Sequence, residues 1–281
     1  MIFLTSLVAL VLVLKLNFGR HWRRADWYVA WESRVKALTS NPLIQWGIIV
    51  ILPGILVALV VYFAAKHLPL PWLLIPYLPL LLISLGPGDI SEQVKRYREL
   101  SERGDNVAAS QWVDTLRGGA SLELSPEVRD WQALHLQALE IVAYRHFEQI
   151  FAVLFWFLVG GPALALVYRL SLMAAERSPV GDWSRRWLWL IEWPAVRLLG
   201  FSWALVGNFD TCAASLRRDC FNARCGSALV LTRSLRGALG VNDKDAVSDD
   251  GLVLINSALN LSTRALWLWL CLLAVVSLLL V

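Results

Sequence analysis

Apolar residues fall in blocks along the chain, at 2–14, 43–65, 68–85, 151–170, 187–207 and 265–281, and nearly all of the charge lies between them. A helix rises about 1.5 Å per residue, so roughly 20 apolar residues cross a hydrocarbon core. Blocks of this length and spacing predict an all-α, multi-spanning helical membrane protein with four to six membrane segments. The first block is the shortest, giving about 22 Å of helix if it runs to Leu16, so Lys15 must snorkel or the bilayer must thin. Basic residues follow it in KLNFGRHWRR rather than precede it, and no small-residue cleavage site is present. It reads as an uncleaved anchor.

Two blocks are interrupted. The stretch FWFLVGGPALALVYRL, residues 155–170, places Gly160, Gly161 and Pro162 between two arms of about ten residues each. Such arms are too short to cross singly and suit a re-entrant hairpin or a broken helix lining a cavity. A kinked continuous span is the alternative, since glycine and proline are common in membrane helices, and the residues leave the choice open. The next block, WLWLIEWPAVRLLGFSWALVG, carries Glu192, Pro194 and Arg197 within six residues. A simple lipid-facing helix would hold neither the charges nor the proline, so two interrupted blocks in succession point to a shared polar site.

Orientation follows from the basic residues. Residues 15–41 hold six Lys or Arg, 86–149 hold seven and 208–264 hold seven, together 20 of the 26. These stretches are expected on the cytoplasmic side of a bacterial inner membrane, and the short KHLPLP on the outside. The organisation expected is N-terminal membrane segments over 1–85 with a basic amphipathic stretch at 15–41, then a helical cytoplasmic subdomain over 86–149. Membrane segments over 150–207, broken at Gly160–Pro162 and Pro194, lead to a cytoplasmic segment over 208–264 and a last membrane helix over 265–281. If both interrupted blocks re-enter, the linker 171–186 is cytoplasmic; if both span, it is external. Composition agrees with a membrane protein: 57% of residues are hydrophobic and 17% charged, against about 25% charged in soluble domains. A net charge of +4 does not imply nucleic acid, because the basic residues sit beside membrane segments, where anionic lipid and topology account for them.

Within 86–149, GPGDISEQVKRYRELSERGD predicts a helix capped by Asp89 and ended by Gly104, and a shorter helix follows over 106–116. Ser125 and Pro126 then open a long helix with no breaker before Gly160. On it Glu140, Tyr144 and Glu148 recur every four residues as one stripe, with Arg145 and His146 displaced around the cylinder. Carboxylates at a membrane entry require a partner, water or a ligand. Pairing of Glu148 with Arg145 is the plain reading; a polar cavity that also draws on Glu192, Arg197 and Arg169 and holds a small anionic ligand is the functional one. In the hairpin reading Arg169 and Arg177 return close to Glu140 and Glu148.

Standard catalytic signatures are missing. The four histidines are scattered, no G-x-S-x-G, H-E-x-x-H or P-loop occurs, and neither a cofactor nor a metal is expected. Cys212, Cys220 and Cys225 match no zinc spacing and read as reduced structural thiols. The fifteen tryptophans read mostly as interfacial belts. In RHWRRADWYVAWESRVKAL, Trp27, Trp31 and Leu38 share a rough helical face, expected to lie along the inner membrane surface.

Three stretches carry a resemblance: LFWFLVGGPALALVYRL behind a Glu-bearing helix, SERGDNVAAS upstream and SLRGALGV downstream. From about residue 80 to 241 they resemble the CbiB/CobD superfamily and, within it, the AmpE family of inner-membrane proteins of Gram-negative bacteria. The resemblance implies a role in β-lactamase induction linked to cell-wall recycling, alongside the cytoplasmic amidase AmpD. In the cobalamin-pathway synthases of that superfamily the helix pattern is E-S-V-A-E-N-x-x-D. Here it reads EIVAYRHFE, so Glu140 keeps the first acid, Tyr144 and Arg145 replace Glu-Asn, and Glu148 stands where the Asp would be. The N-T-L-D-S-M and S-P-N-A-G elements are replaced by SLMAAERSP and CGSAL. This favours a non-enzymatic regulator; the alternative is a membrane ligase or transferase that keeps the pocket through Glu140 and Glu148.

Overall fold

The computed structural model describes residues 2–16, 26–67, 69–85, 90–117, 131–177, 183–219, 225–241 and 251–279. Among them there is no β-strand. Three helices are long and apolar enough to cross a membrane, Pro42–His67, Trp131–Glu176 and Gly251–Val275, and shorter apolar helices lie at Leu4–Val13 and Leu74–Ser84. The expected caps Asp89, Ser125 and Pro126 and the thiol of Cys220 lie outside the described residues.

The chain divides into two compact units, each assembled from separated stretches. One comprises Met1–Gly88, Ala152–Ile191 and Leu270–Val281, the other Asp89–Phe151 and Glu192–Trp269. The first unit, here the anchor unit, contains α1 (Ile2–Leu16), α2 (Asp26–Leu38), α3 (Pro42–Trp46), α4 (Leu52–His67), α5 (Leu74–Ser84) and α9 (Ala152–Glu176). α3 starts where it does because Asn41 Oδ1 accepts the Leu43 N–H at 3.0 Å, with Pro42 pre-set in the first turn. It continues into α4 through a π-helical turn, Gly47–Ile51. In the core of this unit Tyr28 and Val35 of α2 meet Ile49 and Val50 of the π turn and Leu166, Leu170, Met173 and Ala174 of α9.

α2 turns one face into that core and leaves another exposed. Its inward stripe is Tyr28, Glu32 and Val35, spaced four and three residues apart, while Trp27 and Leu38 are exposed. Trp31 packs partly against the core. Tyr28 and Val35 share the inward face, and Trp27 does not.

The second unit, the polar unit, contains α6 (Ile90–Glu102), α7 (Asn106–Arg117), α8 (Trp131–His146), α11 (Phe209–Asp219), α12 (Ser227–Ala238) and most of α13 (Gly251–Leu279). α10 (Trp183–Val206) contributes Trp183–Ile191 to the anchor unit and the remainder to the polar unit. Asp105 Oδ1 caps α7 by accepting the Ala108 N–H at 3.0 Å. α11 and α12 form a close hairpin: Thr211 Oγ1 donates to the Gly237 carbonyl at 2.5 Å and Cys212 Sγ to that of Ser234 at 3.2 Å. Burial pushes the Cys212 thiol up to about 11, which suits the structural role read for it. α13 begins at Gly251, well before the apolar run at 265–281, because Ile255, Ala258, Leu261 and Ser262 already form a buried stripe among the polar residues of its first turns.

The long helix is not uniform. Between α8 and α9 lies a second π-helical turn, Phe147–Phe151, whose five residues are all buried. Further on, Gly160 (φ −146°, ψ 27°) and Gly161 (φ 67°, ψ −162°) leave the helical region before the helix resumes at Pro162. A positive φ of this kind is open to glycine and strained for other residues, and Pro162 supplies no N–H to continue the ladder. The sequence anticipated the second interruption and missed the first.

Candidate functional site

The π turn concentrates the polar chemistry of the polar unit. A π turn adds one residue to the helix, so the side chains beyond it are re-aimed relative to the stripe that an unbroken α-helix would give. Glu148 sits inside this turn at 1% exposure, beside buried Gln149. Its Oε1 is paired with the Arg145 guanidinium. Arg145 also donates from Nε to the Leu116 carbonyl at 2.8 Å, in the last turn of α7. One guanidinium therefore ties α7 to the buried carboxylate of the long helix.

One turn earlier, Tyr144 donates its hydroxyl to Glu192 Oε1 at 2.9 Å. Glu192 lies on α10 at 2% exposure, and Tyr144 is also buried. Arg197, one further turn along α10, lies 4.6 Å over the Trp193 ring and donates to the Trp193 carbonyl at 3.2 Å. Glu140 is half-buried on α8. Tyr144, Arg145, Glu148, Glu192 and Arg197 thus belong to one unit; Tyr144 joins α8 to α10 through Glu192, and Arg145 joins α7 to Glu148 of the π turn.

The remaining candidates belong to the anchor unit. Gly160 and Gly161 form the break in α9, and Arg169 is buried on the arm that follows. Arg177 donates to Glu32 Oε2 on α2 at 3.0 Å.

Sequence reasoning also passed over two histidines. His146 follows Arg145 directly and packs against Phe151, five residues on across the π turn, at 5.5 Å between ring centroids; neither ring nitrogen meets a hydrogen-bond partner among the described residues. His135 Nδ1 meets the Tyr97 hydroxyl at 2.9 Å, joining α6 to α8, and burial holds the Tyr97 phenol above its ordinary value. A polar residue on an otherwise apolar helix face was the available signal in both cases. Among the described residues no three His, Cys, Asp or Glu side chains gather as a metal site.

No curated protein and no solved structure matches this chain. A family does: residues 1–279, nearly the whole length, match the family described as regulatory signalling modulator protein AmpE. With its helical membrane architecture and a match that runs through both units, the chain belongs to the AmpE family.

Proposed function

We propose that the protein is an inner-membrane regulator of β-lactamase induction linked to cell-wall recycling, and that its polar unit is the sensing element. The observation that carries this reading is the way the buried carboxylates are engaged. Glu148 is held by Arg145, and Glu192 by Tyr144, with three helices joined through these bonds. A ligase or transferase would need such acids open to substrate. Acids bonded between helices are instead suited to hold one packing of those helices, and a ligand that competes for them would shift it. A small anionic ligand competing for Arg145 is the chemistry we assign to the signal, and the amidase AmpD is the cytoplasmic partner through which it would act. In this scheme 86–149 and 208–264 face the cytoplasm, and the break at Gly160–Gly161 makes 150–170 a broken or re-entrant element.

The test uses a strain lacking its own copy, complemented with wild type, Tyr144→Phe or Glu192→Gln. β-Lactamase activity is measured after a sublethal β-lactam, and the amount of protein in the membrane by immunoblot. Altered induction per amount of protein in the membrane is expected; induction equal to wild type for both variants, on the same scale, would remove the site from the mechanism. Cysteine introduced at Gly118 and at Gly181, in a background without native cysteines, tests the topology. Both should be protected from an impermeant thiol reagent added to intact cells. Labelling at Gly181 alone would make 150–170 a kinked span.

A further inference from the structure

Among the buried donor atoms of the anchor unit that meet no acceptor among the described residues, three lie at one core: the Tyr28 hydroxyl and Trp31 Nε1 on α2, and Trp46 Nε1 on α3. They share one place in the fold. Tyr28, fully buried, belongs to the core, and Trp31 and Trp46 pack against that core. Buried polar groups are ordinarily paired, so three donors in one cluster call for a group rich in acceptors. Tyr28 stays a donor, because burial first and the Glu32 carboxylate second hold its phenol well above the ordinary value.

Charges surround the same ring. The Arg177 guanidinium lies 5.4 Å over Tyr28, and Glu32 is bridged between Arg177 at 3.0 Å and Lys36 at 2.6 Å. The field of Glu176 also reaches Tyr28. Two cations and two carboxylates give no net charge, which fits a group carrying both signs better than a bare anion. Beside them Trp46 meets Trp183 and Trp187 edge-on, at 4.7 and 5.3 Å between ring centroids. Tryptophan faces attract ammonium groups. The π turn of this core runs directly into α4, which exposes Leu52, Ile55, Leu56 and Leu59, an apolar face on which an acyl chain can lie.

We propose that this cluster binds the headgroup of a zwitterionic phospholipid. Its phosphodiester oxygens accept from Tyr28, Trp31 and Trp46, and its ammonium lies among the carboxylates and tryptophan faces. The inference does not depend on the regulatory reading of the polar unit.

The full-length protein, delipidated in a neutral detergent, is titrated separately with phosphatidylethanolamine, phosphatidylglycerol and inorganic phosphate, and binding is read by native mass spectrometry. Saturable binding of phosphatidylethanolamine is expected, with phosphatidylglycerol weaker and phosphate inert. Tyr28→Phe keeps the ring under Arg177 and removes one donor. It should weaken phosphatidylethanolamine binding about tenfold, the effect of one hydrogen bond to a charged acceptor. Without lipid the same variant should melt no lower than wild type, since the hydroxyl it removes has no partner among the described residues. Phosphatidylglycerol binding as well as phosphatidylethanolamine, phosphate binding with neither lipid, no saturable binding, or unchanged lipid binding by Tyr28→Phe would each overturn the proposal. A lower melting temperature in delipidated Tyr28→Phe would also overturn it, by showing that the hydroxyl serves the fold.

Discussion

The two units hold their carboxylates in different ways. In the polar unit Glu148 and Glu192 are almost fully buried, and each accepts from a side chain one or two helices away or one turn along its own. In the anchor unit the carboxylate of Glu32 is 11% exposed, but the cations it holds, Arg177 and Lys36, are 38% and 57% exposed. A buried carboxylate that loses its partner keeps the full cost of its desolvation, whereas a cation at the surface can return to water. Removing a carboxylate's partner should therefore disturb helix packing at Glu148 or Glu192 and be absorbed at Glu32.

The largest effect should come from stranding a buried charge. Arg145→Ala leaves Glu148 without its guanidinium and the Leu116 carbonyl without its donor, and should cost about 3–5 kcal/mol. Thermal unfolding in detergent would show it; a change under about 1 kcal/mol would mean the pair is solvated and would erase the contrast between the units. Next comes Tyr144→Phe, which removes the hydrogen bond to Glu192 while keeping the ring. A loss of about 1.5–3 kcal/mol is expected, as for a bond to a charged acceptor.

A packing change in the polar unit should fall in a similar range for a different reason. A Cβ added at Gly251 would lie 2.5 Å from His135 Cγ and 2.6 Å from its Cβ, so Gly251→Ala forces α13 and α8 apart. A cost of about 1–3 kcal/mol is expected, and His135→Ala in the same chain should recover part of it. The smallest effect belongs to the anchor unit. Lys36→Ala should change stability by less than about 1 kcal/mol, because an exposed cation in an i, i+4 pair contributes little and Arg177 still faces Glu32. A loss as large as that of Arg145→Ala would show that the two units do not differ in this respect.

Much of the architecture was legible along the chain. The helices observed over 90–102 and 106–117 were expected from a polar helical stretch ended by Gly104 and a short helix after it, and the structure adds Asp105 as the cap of the second. The interruption at Gly160 and Gly161 was legible for the same reason, since the glycines and Pro162 act within one turn of their own backbone. So was the Arg145–Glu148 pair, three residues apart on one helix. The π turn at Phe147–Phe151 was not legible, because no breaker marks it and its apolar residues fit an α-helix equally well.

What the sequence determined by itself is the set of local decisions: a helical membrane chain, the ends of most of its helices, the break in α9 and the neighbours one turn apart. Tertiary structure decided which charges meet at long range. Tyr144 finds Glu192 across 48 positions and Arg177 finds Glu32 across 145. Helical periodicity states which face a residue occupies and not which helix will cover that face. The meeting of Arg177 with Glu32 follows from the packing of Tyr28 and Val35 against α9, a contact whose energy depends on apolar area and shape rather than on any spacing along the chain.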